Sequence, residues 1–212
     1  MKRFILTLIS VAGVLTASAQ FTPNKIVVPD IEGYKTLKGD FHIHTVFSDA
    51  TVWPTTRVQE AIWEGLDVIA ITEHIDTRHQ KYVNQGVFTE KCDRNFSYEL
   101  AKKAAGKDLL VVHAGEITRM GMPPGHFNCL FVKDNEALCA AAESQDKETN
   151  NDNVIAMKNG LAEARNQGAF IMWNHPHWGK YAPNETVMLP IHKKLLKNGI
   201  FDAIEVYNGD CG

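Results

Sequence analysis

The sequence contains few cysteines and no motif that would use them. Cys92, Cys129, Cys139 and Cys211 stand far apart, without a C-x-x-C pairing, which argues against a zinc ribbon. Four cysteines in 212 residues are also too few for a disulfide scaffold. Their pairing stays open, and a free buried thiol is the plainer expectation for Cys129, which lies in an apolar run.

Nucleotide-binding and basic motifs are missing as well. The sequence has no G-x-G-x-x-G and no G-x-x-x-x-G-K-[ST], so neither a dinucleotide-binding sheet nor a P-loop is favoured. Lysine and arginine number 22 against 25 acidic residues, giving a net charge of −3. This mild acidity argues against a nucleic-acid-binding surface.

Long hydrophobic runs are absent beyond the first residues. Met1-Lys2-Arg3 precedes an apolar stretch at residues 4–15, followed by Ala17-Ser18-Ala19; this order predicts a secretory signal peptide at residues 1–19. The stretch is short for a membrane span of about 20 residues. We therefore expect an exported protein, periplasmic or extracellular, with no membrane span after signal cleavage.

Strands and helices are predicted to alternate after an extended lead-in at residues 20–37. Residues 75–92 are polar and are expected to form a loop. A loop of this length in a compact domain usually has a function. The alternation predicts a parallel α/β architecture, either a barrel or an open doubly wound sheet. The predicted strands are 39–45, 66–72, 109–114, 127–132, 169–173 and 201–206, and the predicted helices are 54–64, 93–105, 134–142, 154–168 and 185–198.

Metal-binding side chains recur at the carboxyl ends of these strands. His42 and His44 are two residues apart, so in a strand they project from the same face. His74 follows the second strand, Glu116 the third and His175 the strand at 169–173. In α/β barrels this rim is where loops converge on the active site. The alternative to a metal site is a set of hydrogen-bonded core histidines, but such histidines would not be expected to recur at the same edge of the sheet.

The motifs themselves resemble those of a known family. His42-Ile43-His44-Thr45-x-x-Ser48-Asp49 and Thr72-Glu73-His74 are similar to the first two motifs of the polymerase and histidinol phosphatase (PHP) superfamily of metal-dependent phosphoesterases. The resemblance covers nearly all of residues 38–209. Residues 121–128 and 201–209 are most similar to exported members described as organophosphate phosphodiesterases. Further matches are Gly115-Glu116-Ile117-Thr118 for the bridging glutamate, and Gly125-His126-Phe127-Asn128 and Asn174-His175-Pro176 for single-histidine ligands.

This resemblance implies a distorted (β/α)7 barrel-like PHP fold over residues 38–212, with clustered metal ions. His42, His44 and Glu116 would hold one ion. Glu116, His126 and His175 would hold a second, with Glu116 bridging the two, and Asp49 and His74 would hold a third.

Family members also carry an Asp-x-His pair after the last barrel strand. This sequence ends at Gly209-Asp210-Cys211-Gly212 without one. We therefore expect a domain truncated at its C-terminus, in which the third ion would have only two protein ligands, Asp49 and His74.

Mixed imidazole and carboxylate ligands suit Zn, Mn or Fe better than Ca or Mg. Two or three such ions would generate a hydroxide for attack on phosphorus and neutralise the charge that develops. His177 is a candidate proton donor to the leaving oxygen, and Arg119 and Asn208 are candidates for binding the phosphoryl group. The bland alternatives are a solvated Arg119 and a His177 that pairs with Trp178.

The primary hypothesis is an exported metal-dependent phosphoesterase acting on a small phosphorylated substrate, with diesters favoured over monoesters. One alternative is an amidohydrolase-like metal hydrolase, which would also place H-x-H on a first barrel strand. Another is an inactive metal-binding fragment. Two further histidines are assigned no role: His113 should face a helix, opposite to Glu116, and His192 should lie on the surface of a lysine-rich helix.

Overall fold

The computed structural model describes residues 27–75, 93–118, 125–143, 152–176 and 188–209. All six predicted strands and all five predicted helices are present, with bounds that shift by a few residues. The predicted signal peptide and most of the predicted long loop lie outside the described residues. The elements are β1 (Gly39–Ile43), α1 (Pro54–Trp63), β2 (Val68–Ile71), α2 (Phe96–Ala105), β3 (Leu110–Ile117), β4 (Phe127–Leu130), α3 (Asn135–Glu143), α4 (Asp152–Asn166), β5 (Phe170–Trp173), α5 (Pro190–Lys197) and β6 (Ala203–Ile204).

Helix α1 shows how local sequence sets the boundaries. Pro54 occupies the first helical position, where its missing N–H would have had no intrahelical partner. Gly65 follows the helix with φ of 73°, a left-handed conformation that glycine adopts without steric cost. The chain then turns directly into β2, and the helix packs beside the strand that follows it.

The six strands form one sheet in the order β1-β2-β3-β4-β5-β6. The pairs β1–β2, β2–β3 and β5–β6 are parallel, but β4 runs antiparallel to both β3 and β5. The prediction of an all-parallel sheet is therefore wrong for β4. The reversal places the start of β4, rather than its end, at the rim where the neighbouring strands end.

The sheet is curled into an incomplete barrel. Asn128 on β4 donates a hydrogen bond from Nδ2 to the carbonyl oxygen of Phe41 on β1, at 2.9 Å. In a flat sheet these strands would be about 14 Å apart, three strand spacings of about 4.8 Å. The barrel-like α/β fold expected from the sequence is confirmed, and the open doubly wound sheet is not.

Two apolar layers hold the helices against the outside of the sheet. Helices α1 and α2 pack on β1 and β2 through residues such as Val58, Ile69 and Ala101. At the later strands, α3, α4 and α5 pack on β4 and β5. The larger members of this second layer are Phe127, Leu138, Met157, Leu161, Ile171 and Trp173. These layers fix the strands, and the strand ends then fix the polar side chains at the rim.

The two unassigned histidines behave differently from each other. His113 bonds Asn95 at 3.1 Å and stacks on Tyr98 of α2, as predicted. His192 is only 2% exposed and stacks on Trp173 at 4.1 Å between ring centroids. The prediction of a surface position for His192 is wrong, because α5 turns this face towards β5.

Cys129 is fully buried, as expected for its apolar strand. Within the described ranges, no helix is both long and apolar enough to cross a membrane.

Candidate metal centre

The centre of the site is Glu116, a fully buried carboxylate on β3. Its strand neighbour Gly115 has no room for a side chain, because an added Cβ would lie 2.5 Å from Oδ1 of Asn135. Five imidazole rings surround the carboxylate. The nitrogen–oxygen distances to Glu116 are 3.8 Å for His42 Nε2, 3.2 Å for His44 Nε2, 2.9 Å for His74 Nδ1, 3.2 Å for His126 Nδ1 and 3.8 Å for His175 Nε2.

Strand β1 delivers two of these rings together. Asp40 pairs with Ile69 and Ile43 with Ile71, so one extra residue of β1 is accommodated in a bulge. Such bulges re-aim side chains next to functional sites. The Nε2 atoms of His42 and His44 lie 3.2 Å apart, and both face Glu116, which agrees with their predicted shared face.

The reversed strand β4 supplies His126. Because β4 runs antiparallel to β3 and β5, its first residues lie beside the last residues of those strands. The carbonyl oxygen of His126 accepts a hydrogen bond from the backbone N–H of Asn174 at 2.9 Å. This places His126 next to His175, with the ring centroids 4.9 Å apart.

A further group forms around Asp49 and His74. His74 Nε2 lies 3.2 Å from Asp49 Oδ2, while its Nδ1 faces Glu116. The ring of His44 stacks on that of His74 at 4.4 Å. The family resemblance assigned Asp49 and His74 to a third ion without Glu116, and in the structure His74 contacts both carboxylates.

All seven residues predicted as metal ligands fall into three compact groups. The first is His42, His44 and Glu116, the second is Glu116, His126 and His175, and the third is His44, Asp49 and His74; within each, the candidate ligand atoms lie within 4.8 Å of one another.

The donor set fits divalent cations. Two imidazole nitrogens that face each other beside a buried carboxylate need a cation or shared protons between them, and imidazole with carboxylate suits Zn, Mn or Fe. Metal binding by these residues stays a prediction.

Without a metal ion, protons would take its place. Burial lowers the pKa of His42, but hydrogen bonds to Glu116 and Glu205 outweigh it and raise that pKa to about 10. Burial likewise lowers the pKa of His74, and bonds to Asp49 and Glu116 raise it to about 9. For Glu116, burial raises the pKa, yet the surrounding histidines hold it well below its usual value.

Residues behind the ligands were assigned no role from the sequence. Glu205, after β6, lies 2.8 Å from Nδ1 of His42. It stands at the end of a predicted strand, so the positional rule that singled out the other rim residues also applies to it. Glu73 stands inside the Thr72-Glu73-His74 motif, and it accepts hydrogen bonds from the hydroxyl groups of Thr45 and Ser48.

Two asparagines form the floor of the site. Asn174 donates from Nδ2 to Glu116 Oε1 and to Asn128 Oδ1, both at 2.9 Å. Asn128 in turn reaches β1 through Phe41. Both residues are buried, and both adjoin histidines of the quoted motifs, which is the signal that could have identified them.

The other predicted site residues are only partly placed. Asn208 lies at the edge of the site, where its Nδ2 donates to Oε2 of Glu205 at 3.2 Å. Arg119 and His177 lie outside the described residues, so their predicted roles stay predictions.

Comparison with known structures gives clear neighbours. A crystal structure of a two-domain protein from Bacteroides vulgatus, containing a predicted PHP-like metal-dependent phosphoesterase, matches with a TM-score of 0.71 and 42% identity. The match covers 87% of this chain and 48% of that one, so the chain spans about half the length of this relative.

A second crystal structure, of a candidate metal-dependent phosphoesterase from Bifidobacterium adolescentis, matches with a TM-score of 0.53 and 16% identity over 80% of this chain and 77% of that one. This likeness concerns the fold. No protein-family model and no curated protein matches the chain.

Proposed function

Since this chain carries a PHP-like domain, we propose that it is a metal-dependent phosphoesterase. The observation that carries the proposal is Glu116, a fully buried carboxylate within reach of five histidines at one rim of the barrel. A buried carboxylate so surrounded can be shared between cations. Phosphoester hydrolysis is a reaction that such a cluster serves.

The proposed cofactors are two or three divalent ions, Zn, Mn or Fe, held by the three groups described above. When bound, such ions make water acidic enough to react near neutral pH and neutralise charge on a phosphoryl group. The chain's own residues would do the rest. Arg119 and Asn208 would orient the phosphoryl group, and His177 would donate a proton to the leaving oxygen.

The substrate proposed is a small phosphodiester, in preference to a monoester. This preference is supported by the likeness of residues 121–128 and 201–209 to exported phosphodiesterases. Export itself is proposed from the order of Met1-Lys2-Arg3, the apolar residues 4–15 and Ala17-Ser18-Ala19. Finding the protein in the periplasm or medium of its host, cleaved before Gln20, would support it.

Hydrolysis of two chromogenic esters tests the enzymatic proposal. The purified protein is assayed on bis(p-nitrophenyl) phosphate and p-nitrophenyl phosphate with added Mn, Zn or Fe. Glu116→Gln should abolish turnover, because the shared carboxylate becomes a neutral amide. His113→Asn is the matched control, since His113 lies on the same strand but faces α2; this variant should keep its activity.

The outcomes separate the candidates. Faster turnover of the diester supports the proposed specificity, and faster turnover of the monoester contradicts it. Turnover of an amide but of neither ester would favour the amidohydrolase alternative. Bound metal without any turnover would favour an inactive metal-binding protein.

A further inference from the structure

Glu205 stands behind the metal centre and contacts it from outside. It follows β6 and is 9% exposed, so its charge is largely removed from solvent. Burying a carboxylate is costly unless hydrogen bonds satisfy both oxygens. Each oxygen of Glu205 has such a partner, and both partners belong to residues of the centre.

The first oxygen fixes the ring of His42. Oε1 of Glu205 lies 2.8 Å from Nδ1 of His42, so Nδ1 carries the proton and donates it. The other ring nitrogen, Nε2, faces Glu116 and His44, so it is the nitrogen whose proton a metal ion would displace. A carboxylate behind a histidine in this way selects the tautomer and raises the basicity of the nitrogen that binds metal.

The second oxygen fixes the backbone of His175. Oε2 accepts the backbone N–H of His175 at 2.7 Å and the side-chain N–H of Asn208 at 3.2 Å. His175 has φ of 27°, a positive value that non-glycine residues rarely adopt. A charged acceptor at its N–H stabilises this conformation, in which Nε2 of His175 faces Glu116.

We propose that Glu205 is a positioning residue of the metal centre, one carboxylate that holds ligands of two different groups. His42 belongs to the first group and His175 to the second. His42 lies on β1 and Glu205 follows β6, so their contact also joins the first strand to the last across the curled sheet. The inference rests on the metal binding proposed above, but it does not depend on the phosphoesterase reaction.

Glutamine at this position separates positioning from mere space-filling. It has the shape of glutamate but only one acceptor oxygen. If its amide nitrogen faces His42, the ring must carry its proton on Nε2, where it blocks metal. If the nitrogen faces His175 instead, two N–H groups oppose each other. Either orientation disturbs one of the two groups, whereas a space-filling role would be preserved.

The test compares Glu205→Gln with Asp202→Asn. Asp202 lies just before β6 and accepts the backbone N–H of Ile171 at 2.8 Å, but it contacts Arg165 and not the centre. Zinc affinity and the number of ions bound are measured by chelator competition and elemental analysis. Glu205→Gln should lower zinc affinity about 10- to 100-fold, the usual effect of removing such a partner. Asp202→Asn should bind zinc like the wild type.

Wild-type zinc affinity and stoichiometry in Glu205→Gln would overturn the inference. If the wild type itself binds no zinc, the metal-binding proposal fails instead, so the two failures are distinguishable. Should Glu205→Gln not fold, the wild-type protein still gives an answer. Nitrogen-15 spectra of the zinc-loaded wild type should show His42 protonated at Nδ1 and bound through Nε2, and the opposite arrangement would overturn the inference.

Discussion

His42 on β1 and His44 just after it are each supported by a different acidic residue. His42 is bonded directly to Glu205. His44 reaches Glu73 through Ser48: Nδ1 of His44 lies 3.3 Å from the Ser48 hydroxyl, which donates to Glu73. Burial raises the pKa of Glu73, and the bonds from Ser48 and Thr45 only partly offset this rise. Both rings therefore present Nε2 to Glu116.

Ser48→Ala should weaken metal binding, although Ser48 is not one of the candidate ligands. The substitution removes the acceptor for Nδ1 of His44 and one donor to buried Glu73. We expect a loss of zinc affinity of about 10- to 100-fold, measured by chelator competition. Ser97→Ala is the matched control, because Ser97 is also buried but lies on α2. Equal zinc affinity in the two variants would contradict a role for the hydrogen-bond chain from His44 through Ser48 to Glu73.

Metal binding should release protons from the centre. In the metal-free protein the pKa of His42 is raised to about 10 and that of His74 to about 9, so both rings are charged at pH 8. A metal ligand must be deprotonated, and cations therefore displace these protons. Zinc titrations at pH 8 in buffers of different ionisation enthalpy should give about two protons released. Affinity should rise from pH 7 to 9; an affinity independent of pH would exclude this protonation state.

At the scale of elements, β4 links the floor of the site to the opposite wall. Its Asn128 bonds Asn174 of the β5 end and Phe41 of β1. These contacts cross the interior of the curled sheet, where water does not replace a lost partner. A candidate ligand, His126, thus precedes the strand directly, and the structural link Asn128 follows two residues later.

Asn128→Ala should destabilise the fold. It leaves the Phe41 carbonyl oxygen and the Asn174 amide without this partner, and an unsatisfied buried polar group costs about 1–3 kcal/mol. Urea unfolding should show this decrease in the free energy of unfolding. Asn166→Ala is the control: its side chain is exposed at the end of α4 and bonds only Glu163 in the described contacts, so a change within about 0.5 kcal/mol is expected. Equal losses would refute the link.

The sequence predicted the strands and the rim better than the contacts across it. His42, His74, Glu116 and His175 could be placed together because each stands at or just after the carboxyl end of a predicted strand. The direction of β4 could not be predicted, since the residue types of the short buried strand Phe127–Leu130 suit a parallel or an antiparallel neighbour equally.

Contacts that join distant parts of the chain were missed for a similar reason. Glu205 and His42 are 163 positions apart, and no local pattern connects them. His192 looked exposed among lysines, because only tertiary packing reveals its contact with Trp173.

At the scale of the whole molecule, the seven candidate ligands lie between residues 42 and 175, on five successive strands and the loops beside them. An ion bound there would connect parts of the sheet that are distant in sequence. Such an ion binds the folded protein and finds no preformed site in the unfolded chain. Metal binding should consequently stabilise the fold.

Chelation should lower the thermal midpoint, and zinc should restore it. At a free ion concentration 100 times Kd, one site adds about 2.7 kcal/mol, and each kcal/mol shifts Tm by about 2–4 °C for a domain of this size. We therefore expect zinc to raise Tm by about 5–10 °C, as measured by scanning calorimetry. Glu116→Gln removes the carboxylate common to two of the three groups, so its Tm should rise less with zinc than that of the wild type. A wild-type Tm that is the same with and without zinc would mean that the histidines around Glu116 stay protonated and do not bind zinc.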